Sequence, residues 1–389
     1  MHKKIEHFIH QRCCTLLAIG PMSKNCVDAV IELSNQYETP LFLIASRRQI
    51  EAEEFGGGYA NNWSTQEFSR YIHAHDKKGR IIMARDHGGP WQSNFEVQNK
   101  YSLRQAMESA KRSYQIDIES GFEFIHIDPS IDIWGEPDVD EVLSRVFELY
   151  EHCWTLARRQ NKNIFFEIGV EEQSGDIGTA EEVDYILSKV RTFCRKNHFP
   201  FPSFMVVQTG TKVTEMKNTG LISTPLHSAH GSPVEIRLSK LVDICNRNGI
   251  LLKQHNTDYL NDEALTQLPK LGIHSANVGP EFGTRETLAL LNVFDQYKLD
   301  PLKEKFLKLA FDSKKWEKWM SPQTNATDHQ RAVIAGHYVF SDPPFIDIKE
   351  ELKANINGRM SSVDAYLADE IKKNIMRYLR SFRLLSLQP

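Results

Sequence analysis

No run of 18 apolar residues occurs in this chain, and its first residues, Met1-His2-Lys3-Lys4-Ile5-Glu6, lack the apolar centre of a secretory leader. No membrane association is therefore expected, and a cytoplasmic location is. Basic charge is not in excess either. Lysine and arginine total 47 against 51 aspartates and glutamates and are scattered, which argues against a nucleic-acid binder. Six cysteines (Cys13, Cys14, Cys26, Cys153, Cys194 and Cys245) include no Cys-x-x-Cys pair, and several fall on apolar faces of candidate helices. Buried free thiols in a reducing compartment are expected rather than disulfides or a zinc knuckle. Finally, no Gly-x-Gly-x-x-Gly turn follows any apolar run, which weakens an open dinucleotide-binding sheet.

What the chain does contain is a repeated unit. Short β-type runs occupy Thr15–Ile19, Leu41–Ala45, Ile81–Arg85, Glu123–Ile127, Ile164–Ile168, Phe204–Gln208, Ile250–Gln254 and His274–Val278. Between most of them lie apolar residues at helical spacing, such as Leu103/Ala106/Met107/Ala110 and Val183/Ile186/Leu187/Val190/Cys194. Strands that read as continuous apolar runs belong to parallel sheets covered on both faces. Eight of them alternating with helices predict an α/β fold of the (β/α)8 TIM-barrel type over residues 1–300. Beyond residue 300 the pattern becomes helical, at Leu302–Phe311, Lys314–Met320 and Ser362–Leu385, with a break expected at Pro343-Pro344. Residues 301–389 are read as a helical C-terminal extension packing on the barrel or on a second subunit. Its basic last helix also carries Asp364, Asp369 and Glu370, the pattern of a solvated face. Gly56-Gly57-Gly58 is either a flexible lid or a plain turn.

In such a barrel the chemistry gathers at the C-terminal ends of the strands. The third run passes into Arg85-Asp86-His87-Gly88-Gly89-Pro90, placing a carboxylate and an imidazole side by side at a glycine-loosened turn. The other strands end in Ser46-Arg47-Arg48, His126 and Asp128, Glu167 and Glu171, Gln208 to Thr211, His255-Asn256-Thr257-Asp258 and Asn277 to Pro280. Histidines after apolar runs, with carboxylates on neighbouring strands, make up the donor set of a divalent-metal site. Each residue alone also has a structural reading: Asp86-His87 can be a carboxylate orienting a buried imidazole. His227 and His230 form either a ligand pair or part of a surface loop. Lys212 is a weaker candidate for an imine-forming nucleophile. Two guanidiniums at the mouth, Arg47 and Arg48, favour a phosphate or carboxylate on the substrate.

Seven short motifs in order carry a family resemblance: Phe55-Gly56-Gly57-Gly58-Tyr59, Asp86-His87-Gly88-Gly89-Pro90, Ile125-His126-Ile127-Asp128, Ile168-Gly169-Val170-Glu171, Val206-Val207-Gln208, His255-Asn256-Thr257-Asp258-Tyr259 and Val278-Gly279-Pro280. Together they resemble the accessory, "non-catalytic" subunit family of class II tagatose-bisphosphate aldolases, which includes ketohexose-6-phosphate 4-epimerases. More distantly they resemble the zinc-dependent class II ketose-bisphosphate aldolases. The resemblance implies Asp86 as the proton-transfer residue, with Glu171 and Asp258 as further acid–base candidates. It implies His87, His255, Glu171 and Gln208 as ligands of a divalent metal, Zn2+ first and Mn2+ or Co2+ next. Gly210, Thr211, Asn277, Gly279 and Arg285 would join Arg47 and Arg48 on the substrate and its phosphate. Two departures stand out. Lys212-Val213 follows Gly210-Thr211 where the catalytic aldolases have a third zinc histidine, and Ile44, Arg47 and Arg48 replace a glutamate and small polar residues.

The function implied is metal-dependent retro-aldol chemistry at C3–C4 of a phosphorylated ketose, with a sugar-phosphate 4-epimerase preferred. A class II aldolase and a silent subunit that stabilises a partner aldolase are the alternatives. Assembly as a homo-oligomer, or with a catalytic aldolase partner, is expected.

Overall fold

The computed structural model describes residues 2–169, 179–223 and 233–385. Eight parallel strands close into a barrel: β1 (Leu16–Ile19), β2 (Leu41–Ser46), β3 (Ile81–Gly88), β4 (Phe124–Ile127), β5 (Phe165–Gly169), β6 (Phe204–Val207), β7 (Leu251–Gln254) and β8 (Ser275–Val278). Closure is made by β8 pairing with β1, Leu16 opposite Ser275 and Ile19 opposite Val278. Almost every strand residue is buried, as expected of a sheet covered on both faces.

Alternation along the strands divides the side chains between barrel interior and helical coat. Phe42 on β2, Phe124 on β4 and Phe204 on β6 meet inside, with ring centroids 5.1 Å apart for Phe42–Phe124 and 6.0 Å for Phe124–Phe204. This aromatic layer from alternate strands fills the lower barrel, as layered packing requires. Beside it Lys253 and Glu167 form a buried ion pair at 2.7 Å, the Lys253 ammonium lying 5.7 Å from the Phe42 ring centre. Further along the strands polar side chains such as Asp86, His255 and Asn277 appear beside apolar ones such as Ile44, and the mouth begins.

The helical coat starts crisply where the sequence provides caps. Helices Thr65–His75, Leu103–Glu119 and Val139–Arg159 open on reciprocal pairs Ser64/Glu67, Ser102/Gln105 and Asp138/Glu141, which satisfy otherwise orphaned backbone N–H groups. All six cysteine thiols are free, five of them buried and Cys13 exposed. No helix among the described residues is long and apolar enough to cross a membrane.

The extension comprises helices Asp300–Asp312, Asp328–Ala335, Pro343–Asn355 and Val363–Ser381. Pro343 and Pro344 do not break a helix but start one, since a first-turn proline gives up an N–H that has no partner there anyway. Lys314–Met320 is not a full helix; only the 3-10 turn Glu317–Trp319 forms. The extension has its own apolar cluster, but that cluster begins at Ala289 and Leu290 on the last barrel helix, Pro280–Gln296. Helix Val363–Ser381 returns to the barrel, packing on Lys24–Tyr37 and Pro280–Gln296 and adding Ile371, Ile375, Tyr378 and Leu379 to the main core. Residue 300 thus separates two sequence patterns, whereas the packing runs across it. Buried Glu286 sits at this junction, accepting from the Ser23 hydroxyl and from Asn25 Nδ2 at 2.8 Å. The Asn25 amide also reaches Asp364 at 3.2 Å.

Candidate active site

A cavity of about 330 Å³ opens at the C-terminal ends of the strands. Its walls carry Asp86, His87, His255, Asp258 and Asn277 from the barrel, and its rim includes Arg48. The volume lies at the small end of ligand pockets, suited to a sugar-sized molecule.

Asp86 and His87 both reach this cavity because β3 is irregular. Strict alternation would send them to opposite faces. Between Arg85 and Gly88 the register against β4 shifts: Arg85 pairs with Ile125 and Gly88 with Ile127, so one extra residue is accommodated. His87 absorbs the bulge in the left-handed region, at φ 43°. Gly88 follows because a Cβ there would lie 2.4 Å from the Tyr114 ring, and the Tyr114 hydroxyl is itself bonded to the His126 carbonyl at 3.0 Å.

The imidazole of His87 is oriented by a carboxylate. Its Nδ1 lies 2.6 Å from Asp128 Oδ2, which also accepts from Gln92 Nε2 at 3.0 Å. Burial works to raise the Asp128 pKa, but the bond and charge of His87, with His126 and the Ser130 hydroxyl, together outweigh it and hold the group below the usual range. An ionised Asp128 takes the Nδ1 proton as a hydrogen bond, which leaves a lone pair on Nε2. That Nε2 faces His255 Nε2 at 2.8 Å, the separation of an N–H···N hydrogen bond, so the two ring nitrogens converge on one point of the cavity. Burial, and then the neighbouring His87, push the His255 pKa down to about 3, so this imidazole stays neutral as a metal ligand must. The carboxylate–histidine arrangement and the two converging nitrogens fit a borderline divalent cation such as Zn2+, Mn2+ or Co2+. Among the described residues no group of three or more His, Cys, Asp or Glu side chains comes together in metal-ligand geometry. Glu171, His227 and His230 lie outside the described residues.

Asp86 stands beside this pair, its Oδ2 3.9 Å from His87 Nε2 and its Oδ1 accepting from Asn277 Nδ2 at 3.3 Å. Burial favours its neutral form, yet His87, His126 and Lys253 together hold it well below the usual carboxylate range. His126 receives the His87 backbone N–H on Nδ1 at 3.2 Å, leaving its buried Nε2 unpaired. The second cavity carboxylate, Asp258, is pushed the other way. Burial raises it to about 7 against the opposing N–H bonds, which its Oδ1 accepts from Gly279 at 2.9 Å and Glu281 at 2.8 Å. Two carboxylates on one cavity, displaced in opposite directions, are the electrostatic pattern of a base and an acid.

The adjacent arginines part company. Arg47 does not face the mouth: it is 2% exposed and turned into the helical coat, with Nε 2.5 Å from Glu51, Nη1 2.5 Å from Glu96 and 3.0 Å from the Gly89 carbonyl. Its expected contact with substrate is therefore corrected to a structural ion-pair network. Arg48, one residue on, lines the cavity. Burial lowers its pKa with only Tyr338 and Tyr59 opposing, and its Nε has no hydrogen-bond partner. Arg285 is likewise corrected. It sits on the exposed face of helix Pro280–Gln296, away from the cavity. Thr211 does not line the cavity; its hydroxyl donates to the His255 carbonyl at 2.5 Å, and Gly210 at φ 81° makes the turn before it. Gln208 follows inward-facing Phe204 and Val206 at period two, buried with both amide atoms unpaired. Gly279 and Asn277 line the cavity as expected, whereas Lys212 is exposed outside it.

The fold is shared with known proteins. A "probable tagatose 6 phosphate kinase" from Sinorhizobium meliloti superposes with a TM-score of 0.73 at 17% identity, over 94% of this chain and 100% of that one. A fructuronate-tagaturonate epimerase from Cohnella laeviribosi gives 0.59 at 11% identity, over 97% and 86%. A fructose-bisphosphate aldolase from Campylobacter jejuni gives 0.56 at 12%, over 98% and 94%. No family model and no curated protein sequence matches the chain. At these identities the likeness establishes the fold.

The cavity residues without a strand-end signature include Lys318, Trp319 and Tyr338, all from the extension. The turn carrying the first two is tied down by the Glu215 N–H, which donates to the Trp319 carbonyl at 2.7 Å. The glycine stretch 56–58 is a turn that fits against residues 48–50, with the Tyr59 N–H on the Arg48 carbonyl at 3.2 Å. The cover over the mouth comes instead from the C-terminal side.

Proposed function

We propose that the chain is a divalent-metal-dependent enzyme that breaks and re-forms the C3–C4 bond of a phosphorylated ketose, with net epimerisation at C4. The observation that carries this reading is the facing pair His87 Nε2 and His255 Nε2 at 2.8 Å, with the Asp86 carboxylate beside it. These two imidazoles would hold the cation, with a further ligand expected from Gln208, from Glu171, or from His227 or His230. When bound, such an ion supplies Lewis acidity toward the ketose oxygens and stabilises the negative charge left on the three-carbon fragment.

The remaining roles belong to side chains. Asp86 accepts the proton of the C4 hydroxyl as the C3–C4 bond breaks, the electron pair remaining with C3 and C4 becoming an aldehyde. Asn277 keeps Asp86 directed through its amide N–H. Asp128 fixes the His87 tautomer and ring plane. If the aldehyde turns before C3 attacks it again, the bond re-forms on the opposite face and the new C4 oxygen takes a proton there. Asp258, with its raised pKa, is placed on the same cavity to deliver it. A small cavity covered by the extension favours retention of the aldehyde over its loss.

The test is to incubate the chain with Zn2+ or Mn2+ and a panel of ketose phosphates and to follow the products by NMR. A C4 epimer is the expected outcome. Free triose phosphate would make the protein an aldolase using the same site, and a metal-loaded chain inert on the whole panel would refute the reading.

A further inference from the structure

The extension does more than cover the barrel. We infer that Lys318 and Arg48 form the anion-recognition site of this enzyme, gripping a phosphate or carboxylate at the substrate end remote from the two histidines. The inference rests on the reading of the cavity as a sugar site and adds the residues that read the sugar's charge.

Three observations carry it. Arg48 and Lys318 line the same cavity, and neither makes an ion pair with a carboxylate among the described residues, although Arg47 next door has two. An arginine with a buried, unpartnered Nε is a site awaiting an acceptor, because leaving a cationic donor unsatisfied is unfavourable. Second, the groups around them are donors. Tyr338 accepts from Trp319 Nε1 at 3.2 Å, so its acceptor capacity is engaged while its own hydroxyl proton has no described partner. Guanidinium, ammonium and phenol lining one cavity, with neither cation paired to a carboxylate among the described residues, select an anion. Third, Lys318 is exposed overall, yet its ammonium is held against aromatic rings. Its ammonium lies 4.5 Å from the Trp319 ring centre and 5.4 Å from that of Tyr338, and its turn is anchored through the Trp319 carbonyl to Glu215. Since Arg48 belongs to the barrel and Lys318 to the extension, an anion between them bridges the two.

The experiment is calorimetric titration of the full chain after chelation of metal, so that an added anion cannot bind a cation instead. The probes are inorganic phosphate, glucuronate and, as a neutral reference, fructose. One charge-assisted contact corresponds to about a tenfold change in affinity or more. Lys318→Ala is expected to weaken anion binding by at least that factor, Lys318→Arg to retain it within about threefold, and Lys315→Ala to leave it unchanged. Phosphate binding that follows this pattern identifies a phosphate monoester as the natural group. Glucuronate binding that follows it, without phosphate binding, identifies a sugar carboxylate. Failure of both anions to bind, indifference to Lys318→Ala, or an equal loss in Lys315→Ala would each overturn the inference. Because no turnover is measured, a chain that binds anions this way yet makes no epimer or triose phosphate keeps this site and loses only the proposed reaction.

Discussion

Replacing Arg47 and Arg48 one at a time should produce opposite phenotypes from neighbouring residues. In Arg47→Ala, the side chains of Glu51 and Glu96, 1% and 0% exposed, lose the guanidinium that pairs them. Breaking a buried ion pair from one side costs about 3–5 kcal/mol, because the carboxylates left behind have neither water nor a cation. With unfolding entropy near ~2.1 cal/mol/K per residue, a chain of 389 residues unfolds with about 0.8 kcal/mol/K. The Tm should therefore fall by about 4–6 °C, with a matching drop in the denaturant midpoint. Arg48→Ala removes a cation that has no carboxylate partner, so its Tm should move by less than about 1 °C while KM for an anionic substrate rises. Differential scanning calorimetry beside steady-state kinetics tests both. A stable Arg47→Ala with a raised KM, or an Arg48→Ala that melts early, would show that the structural and substrate-facing roles are assigned the wrong way round.

Asp128→Ala should lower the affinity for Zn2+ or Mn2+ by about 10- to 100-fold in a competition titration, because His87 loses the group that sets its tautomer; unchanged affinity would remove Asp128 from that role. Asp86→Asn should retain the metal yet lose about 10²-fold or more in turnover, the scale of a positioned acid–base group, and near-normal rates would rule out its proton transfer. Glu286 is pushed up to about 7 by burial, so the folded chain holds a proton on it that the unfolded chain releases near 4.5. Its contribution to stability is complete below about pH 4.5 and is lost as pH rises toward 7, amounting to ~3 kcal/mol across that window. Denaturant melts at closely spaced pH values should show Glu286→Gln flattening this decline, and parallel profiles for variant and parent would contradict it.

The barrel was legible because a parallel strand buried on both faces leaves an unmistakable apolar run. Each of the eight predicted runs contains or overlaps an observed strand, with ends differing by up to three residues. The cavity positions of His87, His255, Asp86, Asp258, Asn277 and Gly279 were legible from strand ends alone. What the local pattern does not encode is which way a side chain turns after the last ladder bond. Arg47 and Arg48 are chemically identical in sequence, and the placement of Glu51 together with Glu96, 49 residues from Arg47, decides that one is consumed internally. The bulge at Asp86-His87 was equally hidden, since the register shift against β4 and the Tyr114 ring that leaves no room for a Cβ at Gly88 both involve distant parts of the chain. Lys318 and Trp319 were passed over because their turn carries no strand-end signature; it becomes part of the mouth through a hydrogen bond to Glu215, 104 residues earlier than Trp319.

Helix Val363–Ser381 lies against both the first and the last helices of the barrel coat, Lys24–Tyr37 and Pro280–Gln296. Domains tend to fold as units while the chain emerges from the ribosome. Here the nascent cylinder would carry an uncovered greasy seam until its final stretch, through Phe382, had been released. A stop codon placed after the eighth strand should accordingly yield an aggregating fragment rather than a smaller soluble enzyme.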